Sequence, residues 1–493
     1  MLFVSIPGPS FAQAVQQVQN AEMCADGAEL RLDLFENLDL EQIRRLLEKS
    51  KLPMIFTLRR KDQGGSFEGP EEARFSWLEK LCGLKPAYVD LEWDIPMLFI
   101  KQLHTKFPAI KFISSYHNFT IIPDLEEVFV KMRSPHVRFY KIAIPASSTI
   151  DALKLLAFVK AKNAENLQVI GIAMGEKGQI TRILGPIFGS PITYCSTNQN
   201  EPTAPGQMTA EELSAIYHYR ALNPQTSILG LIGDPIDQSV GHLTHNAVIG
   251  NLKKNAVYVK LALKKEELTS FFSYAQKMPF LGLSVTMPLK DAVLPFLDTI
   301  DEDARSIGAV NTLCFEKGKI AGFNTDGVGA LDAIEQKLLV QGKKVVILGA
   351  GGSAKAIIHE AIKRKARVCV LNRTAEKAQA LARLMGCEGG GLEMMPDLYE
   401  QGYDILVKCT PDDLPIDPRW LLPSALVMDI VYVPKETPFL LQAASKGCQL
   451  VFGYEMYVNQ AALQCIIWYG NKIDRDQVKD TIAKKALDSL ETP

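Results

Sequence analysis

Glu29-Leu30-Arg31-Leu32-Asp33-Leu34 alternates a charged residue with leucine at every step. Side chains alternate across a strand, so one face of this stretch is all leucine and the other all charged. It belongs to a series of short β-branched or aromatic runs: Leu2–Ile6, Ala28–Leu34, Met54–Leu58, Ala87–Glu92, Lys111–His117, Arg138–Ile144, Gln168–Ala173 and Pro191–Cys195. Their starts lie about 23–33 residues apart. Most gaps carry helical spacing, as in Leu40, Ile43, Leu46 and Leu47, or Leu153, Leu156 and Val159. Strands alternating with helices pair in parallel. Eight such units in about 220 residues fit a (β/α)8 barrel, usually about 250 residues long. An open doubly wound sheet is the other architecture this rhythm admits. In a barrel the leucine face meets the helices and the charged face points inward, where ions are costly unless paired or bound to a ligand. An exposed antiparallel strand would show the same alternation, but the helical gaps on either side argue against one.

The chain has 493 residues, 47% hydrophobic and 22% charged, so it is globular rather than disordered, with room for two to four domains. Fifty-four basic against 56 acidic residues leave a net charge of −2, which offers no global basic field for nucleic acid or anionic lipid. The nine cysteines include no C-x-x-C pair, which fits a reducing compartment, and the expected location is cytoplasmic. No apolar run is long enough to span a membrane. The start, Met1 to Pro7, reads as a first strand rather than a signal peptide.

Active sites of such barrels lie where the strands end. Arg59 follows the third run, Glu92 ends the fourth, His117 ends the fifth, Lys141 sits in the sixth, and Arg182 lies in the loop after the seventh. Singly, each has a structural explanation. Five strand ends aiming polar groups at one place call for a chemical one. A neutral lysine attacks a ketone to form a Schiff base. Its pKa, ordinarily about 10.4, must fall for this, and burial or nearby cations lower it. Arg31, Arg59 and Arg182 can supply that field and also grip a carboxylate. His117 can then remove the acidified proton and return one to a leaving hydroxyl, with Glu92 orienting the imidazole or binding it. The implied reaction is dehydration or aldol cleavage of a carboxylated keto-acid.

Glu29-Leu-Arg31-x-Asp33, Thr57-Leu-Arg59, Asp90-Leu-Glu92, Ser115-Tyr-His117, Tyr140-Lys141-Ile, Thr181-Arg182 and Ala204-Pro205-Gly206-Gln207 together resemble type I 3-dehydroquinate dehydratases over residues 1 to about 220. The resemblance implies Lys141 as the Schiff-base lysine and His117 as the acid/base. It also implies Glu29, Arg31, Arg59, Glu92, Arg182, Thr203 and Gln207 around the substrate. Asn118 departs from the aspartate usual after the histidine, and Thr203 from the usual serine.

The turn at Asn223-Pro224 precedes a new strand, Ile228–Gly233, and marks a boundary. Further on, the buried run Lys343–Leu348 is followed by Gly349-Ala350-Gly351-Gly352-Ser353-Ala354 and then a helical pattern. This is G-x-G-x-x-A between strand and helix, where glycines let the backbone approach a pyrophosphate. The next strand ends in Asn372-Arg373-Thr374, and Arg373, where NAD enzymes carry an acid, suits a 2′-phosphate. The expected cofactor is NADP. Reducing a ketone beside a nicotinamide needs a proton donor, and Lys290 with Asp326 could serve.

With Gly233-Asp-Pro235-x-x-x-Ser239, Ser284-Val-Thr286-Met-Pro288-Leu-Lys290, Asn311-Thr312, Asn324-Thr325-Asp326-Gly327, Asp429-x-x-Tyr432-x-Pro434 and Gly453-x-x-Met456-x-x-x-Gln460, residues 226 to about 475 resemble shikimate dehydrogenases. The resemblance implies Lys290 and Asp326 as the catalytic pair. It implies Ser239, Thr286, Asn311, Tyr432 and Gln460 on the substrate, and Thr410 and Gly453 at the cofactor with the glycine-rich turn. Gly241 stands where a second serine is usual, Ser284 where asparagine is, and Lys408 begins the usual Asn-x-Thr-Pro. Weaker carboxylate binding or a compensating donor, His242 or Ser284, is expected. His242-x-x-His245 lacks further ligands, and no metal is expected.

The whole chain thus resembles the fused 3-dehydroquinate dehydratase/shikimate dehydrogenases of aromatic amino acid biosynthesis. The expected domains are 1–222, a barrel; 226–327 plus 455–493, a substrate lobe; and 328–454, a Rossmann-like NADP lobe. The expected partners are 3-dehydroquinate, 3-dehydroshikimate and shikimate, with no nucleic acid and no membrane; oligomeric state is left open. The rivals are a quinate/shikimate dehydrogenase fusion and a non-catalytic quinate-pathway sensor. The sensor would have lost reacting groups, whereas Lys141, His117, Lys290 and Asp326 are all present.

Overall fold

A computed structural model describes residues 1–198, 203–470 and 472–491. It divides into two compact units: Met1–Thr226 with Ser273–Met278, and the rest of the described chain from Ser227.

The first unit is a ring of parallel strands: β1 (Leu2–Ile6), β2 (Gly27–Arg31), β3 (Met54–Thr57), β4 (Tyr88–Glu92), β5 (Lys111–His117), β6 (Phe139–Pro145), β7 (Val169–Met174) and β8 (Thr193–Cys195). Neighbours in sequence pair from β1 to β7, and β8 pairs with β1. The architecture is the expected (β/α)8 barrel, with one seam, between β7 and β8, that carries no ladder. Side-chain bonds cross that region: Arg182 Nη1 donates to Ala173 O at 3.1 Å, and Thr193 Oγ1 donates to Arg182 O at 3.0 Å.

The second run ends sooner than its alternation predicts. β2 stops at Arg31, and Leu32–Leu34 forms a 3-10 turn. The cause is local. Asp33 takes both Nε and Nη2 of Arg31, at 3.0 and 2.8 Å, and accepts from the Ser66 N–H, so the chain bends where extended geometry would keep the two apart.

Inside the ring the chemistry is layered. Phe3, Ile55, Tyr88, Ile113, Phe139, Ile170 and Ile192 form an apolar floor. Two residues further along the strands come Ser5, Glu29, Thr57, Asp90, Ser115 and Lys141, all buried. The floor leaves no space at Gly27, whose added Cβ would lie 2.3 Å from the Phe3 ring.

In the second unit, β9 (Ser227–Gly233), β10 (Ala256–Ala262), β11 (Phe280–Val285), β12 (Thr299–Ile300), β13 (Thr312–Glu316) and β14 (Lys319–Phe323) form a mixed sheet in the order β10-β9-β11-β13-β14-β12. β15 (Lys344–Leu348), β16 (Arg367–Asn372), β17 (Glu388–Gly391), β18 (Ile405–Lys408), β19 (Leu426–Asp429) and β20 (Gln449–Val451) form an all-parallel sheet in the order β17-β16-β15-β18-β19-β20. That is the doubly wound 3-2-1-4-5-6 order, with its switch point between β15 and β18, where ligands settle. The helix Gly453–Tyr469 returns to the first sheet, and Trp468 Nε1 donates to Leu313 O at 2.9 Å. Among the described residues no helix is long and apolar enough to cross a membrane.

Substituting Gly27→Val should destabilise the barrel by about 1–3 kcal/mol, the usual cost of overpacking a filled core. Thermal unfolding should show a lowered transition with the chemistry of the second unit retained; an unchanged transition would contradict the packing described.

Candidate active sites

Strand parity delivers the first site. A cavity of about 70 Å³ at the C-terminal ends of the barrel strands is lined by Glu29, Arg31, Arg59, His117, Lys141, Arg182, Thr203 and Gln207. Lys141 Nζ lies 3.6 Å from Glu29 Oε1 and 3.9 Å from Asp90 Oδ2. Both carboxylates are held from behind: Glu29 accepts from Ser5 Oγ at 2.8 Å and Thr57 Oγ1 at 2.9 Å, and Asp90 Oδ1 accepts from Ser115 Oγ at 2.6 Å and pairs with Arg59 at 2.9 Å. Glu29 stays ionised. Burial opposes the charge, but Lys141, Arg31, Arg59 and the Ser5 hydrogen bond outweigh it and hold its pKa at about 2. Burial lowers the Lys141 pKa, Arg59 and Arg31 push the same way, and Glu29 and Asp90 oppose them.

His117 is buried among cations. Burial first, then Arg59, Lys141 and Arg31, hold its pKa well below the ordinary imidazole value, so its ring is a neutral base near pH 7. Its Nδ1 has no hydrogen-bond partner. Nor has Nε of Arg182, whose Nη1 and Nη2 reach only the carbonyls of Ala173 and Pro205. Burial brings the Arg182 pKa down to about 10, still cationic at neutral pH. Buried polar atoms without partners are rare, and here they converge on one cavity.

Glu92 stands apart from its expected place at the imidazole or the substrate. It is outside the cavity lining, with one oxygen on the Arg60 N–H at 3.0 Å and the other ion-paired to Arg74. Gln63 holds β5 at that point instead, its Oε1 accepting the His117 backbone N–H at 3.1 Å. Sequence reading passed over Gln63, which lies on a 3-10 turn after β3, and Tyr194, whose parity in the eighth run was the available signal.

The second site is a cleft of about 790 Å³ lined by Ser239, Thr286, Lys290, Asn311, Asp326, Tyr432 and Gln460 on one side and Gly351, Gly352, Ser353, Thr410 and Gly453 on the other. Lys290 and Asp326 form an ion pair, and Ser353 Oγ lies 3.3 Å from Lys290 Nζ. Asn311 steers the pair, its Nδ2 donating to Asp326 Oδ1 at 2.7 Å and to Thr325 Oγ1 at 2.9 Å. Ser284 is no free donor. Its hydroxyl donates to Gln464 Oε1 at 2.9 Å and accepts from Tyr258 Oη at 2.8 Å. His245 stacks on the Tyr258 ring at 4.4 Å.

The switch point suits a dinucleotide. The helix Gly352–Lys363 begins at Gly351 with no side-chain cap, so its first N–H groups remain open to a pyrophosphate. A Cβ on Gly351 would meet nothing within 4 Å, and the buried Thr410 Oγ1 has no partner. Gly349, at φ +119°, turns the chain out of β15, and the buried Ala354 packs beneath the helix start, with Ala350 partly buried against the same core. Asn372 ends β16, the strand next to β15, and Arg373 and Thr374 follow it, all outside the cleft lining; Asn372 Nδ2 donates to Thr374 O at 3.0 Å. Lys355, not singled out in the sequence, also lines the cleft.

Comparisons with known proteins cover the chain. The family described as Type I 3-dehydroquinase matches residues 2–224. The shikimate dehydrogenase substrate binding domain matches 231–313, and the shikimate / quinate 5-dehydrogenase family matches 332–426. A "Shikimate biosynthesis protein AroDE" of Chlamydia pneumoniae is 33% identical over 98% of this chain and 100% of its own length. A chloroplastic bifunctional 3-dehydroquinate dehydratase/shikimate dehydrogenase of Arabidopsis thaliana is 34% identical over 91% of this chain and 78% of its own. A crystal structure of a shikimate dehydrogenase in complex with NADP+ is 34% identical, with a TM-score of 0.50, over 54% of this chain and 97% of that one.

Behind the cleft lies a buried ion pair the sequence shows only as Lys408 in an unusual place. Lys408 Nζ meets Asp429 Oδ2 at 2.9 Å, and Asp429 also accepts from Thr437 Oγ1 and from the Val431 N–H, fixing the turn into Tyr432. Lys408→Met should cost about 3–5 kcal/mol, because it strands a buried carboxylate, and Lys408→Met with Asp429→Asn should recover most of the loss. Denaturant unfolding of the two variants measures this; equal losses would refute the coupling.

Proposed function

We propose how the two pockets divide the chemistry from one premise: this chain belongs to the family of bifunctional 3-dehydroquinate dehydratase/shikimate dehydrogenases. It is a shikimate-pathway enzyme that dehydrates 3-dehydroquinate and, with NADPH, reduces the product to shikimate. Residues 1–222 carry the first activity. The lobes 226–327 with 455–493 and 328–454 carry the second. The nine free thiols support a cytoplasmic location.

The observation that carries the first reading is the Lys141 nitrogen, buried between the carboxyl groups of Glu29 and Asp90 and sharing its cavity with an imidazole whose Nδ1 is open. Neutral Lys141 adds to the substrate ketone, the oxygen takes up a proton from solvent and leaves as water, and an iminium remains. That iminium acidifies the adjacent C–H. His117 takes the proton, the electron pair forms the ring double bond, and the hydroxyl departs with a proton returned by His117. Arg31, Arg59 and Arg182 bind the carboxylate, with Glu29, Thr203 and Gln207 on the hydroxyls. Hydrolysis of the imine restores Lys141.

In the second half NADPH supplies the hydride when bound. Lys290 donates the proton that quenches the developing alkoxide, and Asp326, steered by Asn311, holds the ammonium in place. Ser239, Thr286, Tyr432 and Gln460 position the substrate. Gly349 to Ala354, Thr410 and Gly453 seat the dinucleotide, with Asn372, Arg373 and Thr374 at the 2′-phosphate. A second substrate, quinate, is favoured by one observation. Gly241 carries no hydroxyl where the resemblance expects a second serine, and a Cβ there would already lie 3.2 Å from Ser239 Oγ and 3.3 Å from Tyr258 Oη, so one hydrogen bond that would select shikimate is missing.

Purified protein given 3-dehydroquinate and NADPH should release shikimate. Lys141→Ala should abolish the dehydration by at least about a thousandfold yet still reduce supplied 3-dehydroshikimate, and Lys290→Ala should do the reverse. Loss of both activities in either variant would defeat the division of labour, and turnover with quinate and NADP+ or NAD+ reads the second substrate.

The pH dependence has a definite sign. Lys141 reacts as the amine, so imine formation rises as pH climbs through its lowered pKa. Glu29 holds that pKa up against burial and the arginines. Glu29→Gln should therefore move the acid limb of single-turnover imine formation to lower pH; a shift upward would show that the carboxylate does not face the amine in solution.

A further inference from the structure

The eighth strand of the barrel carries a tyrosine that the mechanism above leaves idle. Tyr194 is 4% exposed and lines the same cavity as Lys141. Its ring centroid lies 3.8 Å from Lys141 Nζ, the shortest ammonium–ring approach among the described residues. Its hydroxyl is buried and has no hydrogen-bond partner. Tyrosine hydroxyls in cores ordinarily find one. Here the two nearest carboxylates are turned to other work: Glu29 accepts from Ser5 and Thr57, and Asp90 Oδ1 accepts from Ser115 and Arg59, while Asp90 Oδ2 also lacks a hydrogen-bond donor. The two residues against Lys141 Nζ, Tyr194 by its ring and Asp90 by its Oδ2 at 3.9 Å, thus each carry an unsatisfied oxygen, one a donor and one an acceptor. Burial raises the phenol pKa well above its usual value, with Glu29 and Asp90 adding to it, so the hydroxyl stays protonated across the working range.

We propose that Tyr194 is a further catalytic residue of the dehydratase: its hydroxyl engages the ketone oxygen as Lys141 attacks, and its ring face carries the positive charge on the nitrogen. The inference rests on Lys141 being the Schiff-base lysine. The proton count closes with one proton drawn from solvent. The amine nitrogen bonds to the carbonyl carbon and the π pair moves to oxygen. The hydroxyl gives its proton to that oxygen and takes one from the nitrogen, ending unchanged. The carbinolamine hydroxyl then takes up the solvent proton and leaves as water, while the nitrogen lone pair forms the C=N bond of the iminium. The ring, already against the ammonium, remains against the iminium, whose charge it stabilises. The same hydroxyl is placed to hand a proton back when water hydrolyses the imine.

The test is rapid-quench borohydride trapping with 3-dehydroquinate on the full chain, read as labelled Lys141 peptide, for the wild type, Tyr194→Phe and Tyr194→Leu. Tyr194→Phe, which keeps the ring, should form the imine at least about tenfold more slowly, within the range of general acid–base effects. Its KM for 3-dehydroquinate, melting temperature and shikimate oxidation should be unchanged. Tyr194→Leu should in addition move half-maximal trapping to lower pH, because it removes the ring that favours the ammonium; Tyr194→Phe should not. Wild-type trapping rates in Tyr194→Phe would overturn the role of the hydroxyl, as would a slowed rate that comes only with a raised KM and a lowered melting temperature. Failure of the wild type to label at Lys141 would instead overturn the Schiff-base reading itself.

Discussion

Burying ions is the constraint on which the dehydratase half is built. A barrel interior excludes water, and an isolated charge there costs many times what a domain's net stability can supply. The solution is a lattice of opposite charges in which each carboxylate has backing hydrogen bonds. Ser5 and Thr57 hold Glu29, and Ser115 and Arg59 hold Asp90. What the lattice leaves incomplete is informative. Among the buried atoms left open, those of His117, Arg182, Tyr194 and Asp90 belong to residues that touch Lys141 or line its cavity. The reacting amine is thereby starved of good partners, at 3.6 and 3.9 Å from its carboxylates.

The second unit uses a lysine and a carboxylate to the opposite end. Lys290 and Asp326 touch directly. On the mechanism proposed, one chain uses lysine twice, as nucleophile and as acid, and the difference lies in surroundings. Lys141 sits in a sealed ring among arginines, Lys290 in an open cleft beside a helix start.

Much of this could be read from the residues. The eight runs match the strand positions because β-branched and aromatic runs between helical patterns have few other ways to bury themselves. The glycine-rich turn was legible because strand, turn and helix follow in order. Parity placed Glu29, His117 and Lys141 on one inner face. Parity failed at Leu32–Leu34, where a side-chain pair between Arg31 and Asp33 overrides the alternation. It misjudged Glu92 because the guanidinium that captures it, on Arg74, comes from the preceding helix, a contact that strand spacing cannot register. Ser284 was misread for a similar reason, since Tyr258 and Gln464 meet it from distant segments.

The unladdered seam of the barrel has a mechanical meaning. Seven strand pairs are stitched by backbone; at the eighth junction the guanidinium of Arg182 reaches the carbonyls of Ala173 and Pro205 in their stead. That same side chain keeps one N–H in reserve for an incoming anion. A bound carboxylate would grip the rivet that spans the gap, so occupancy and the tightness of the hoop become one equilibrium, and the ring should be stiffest when it is full.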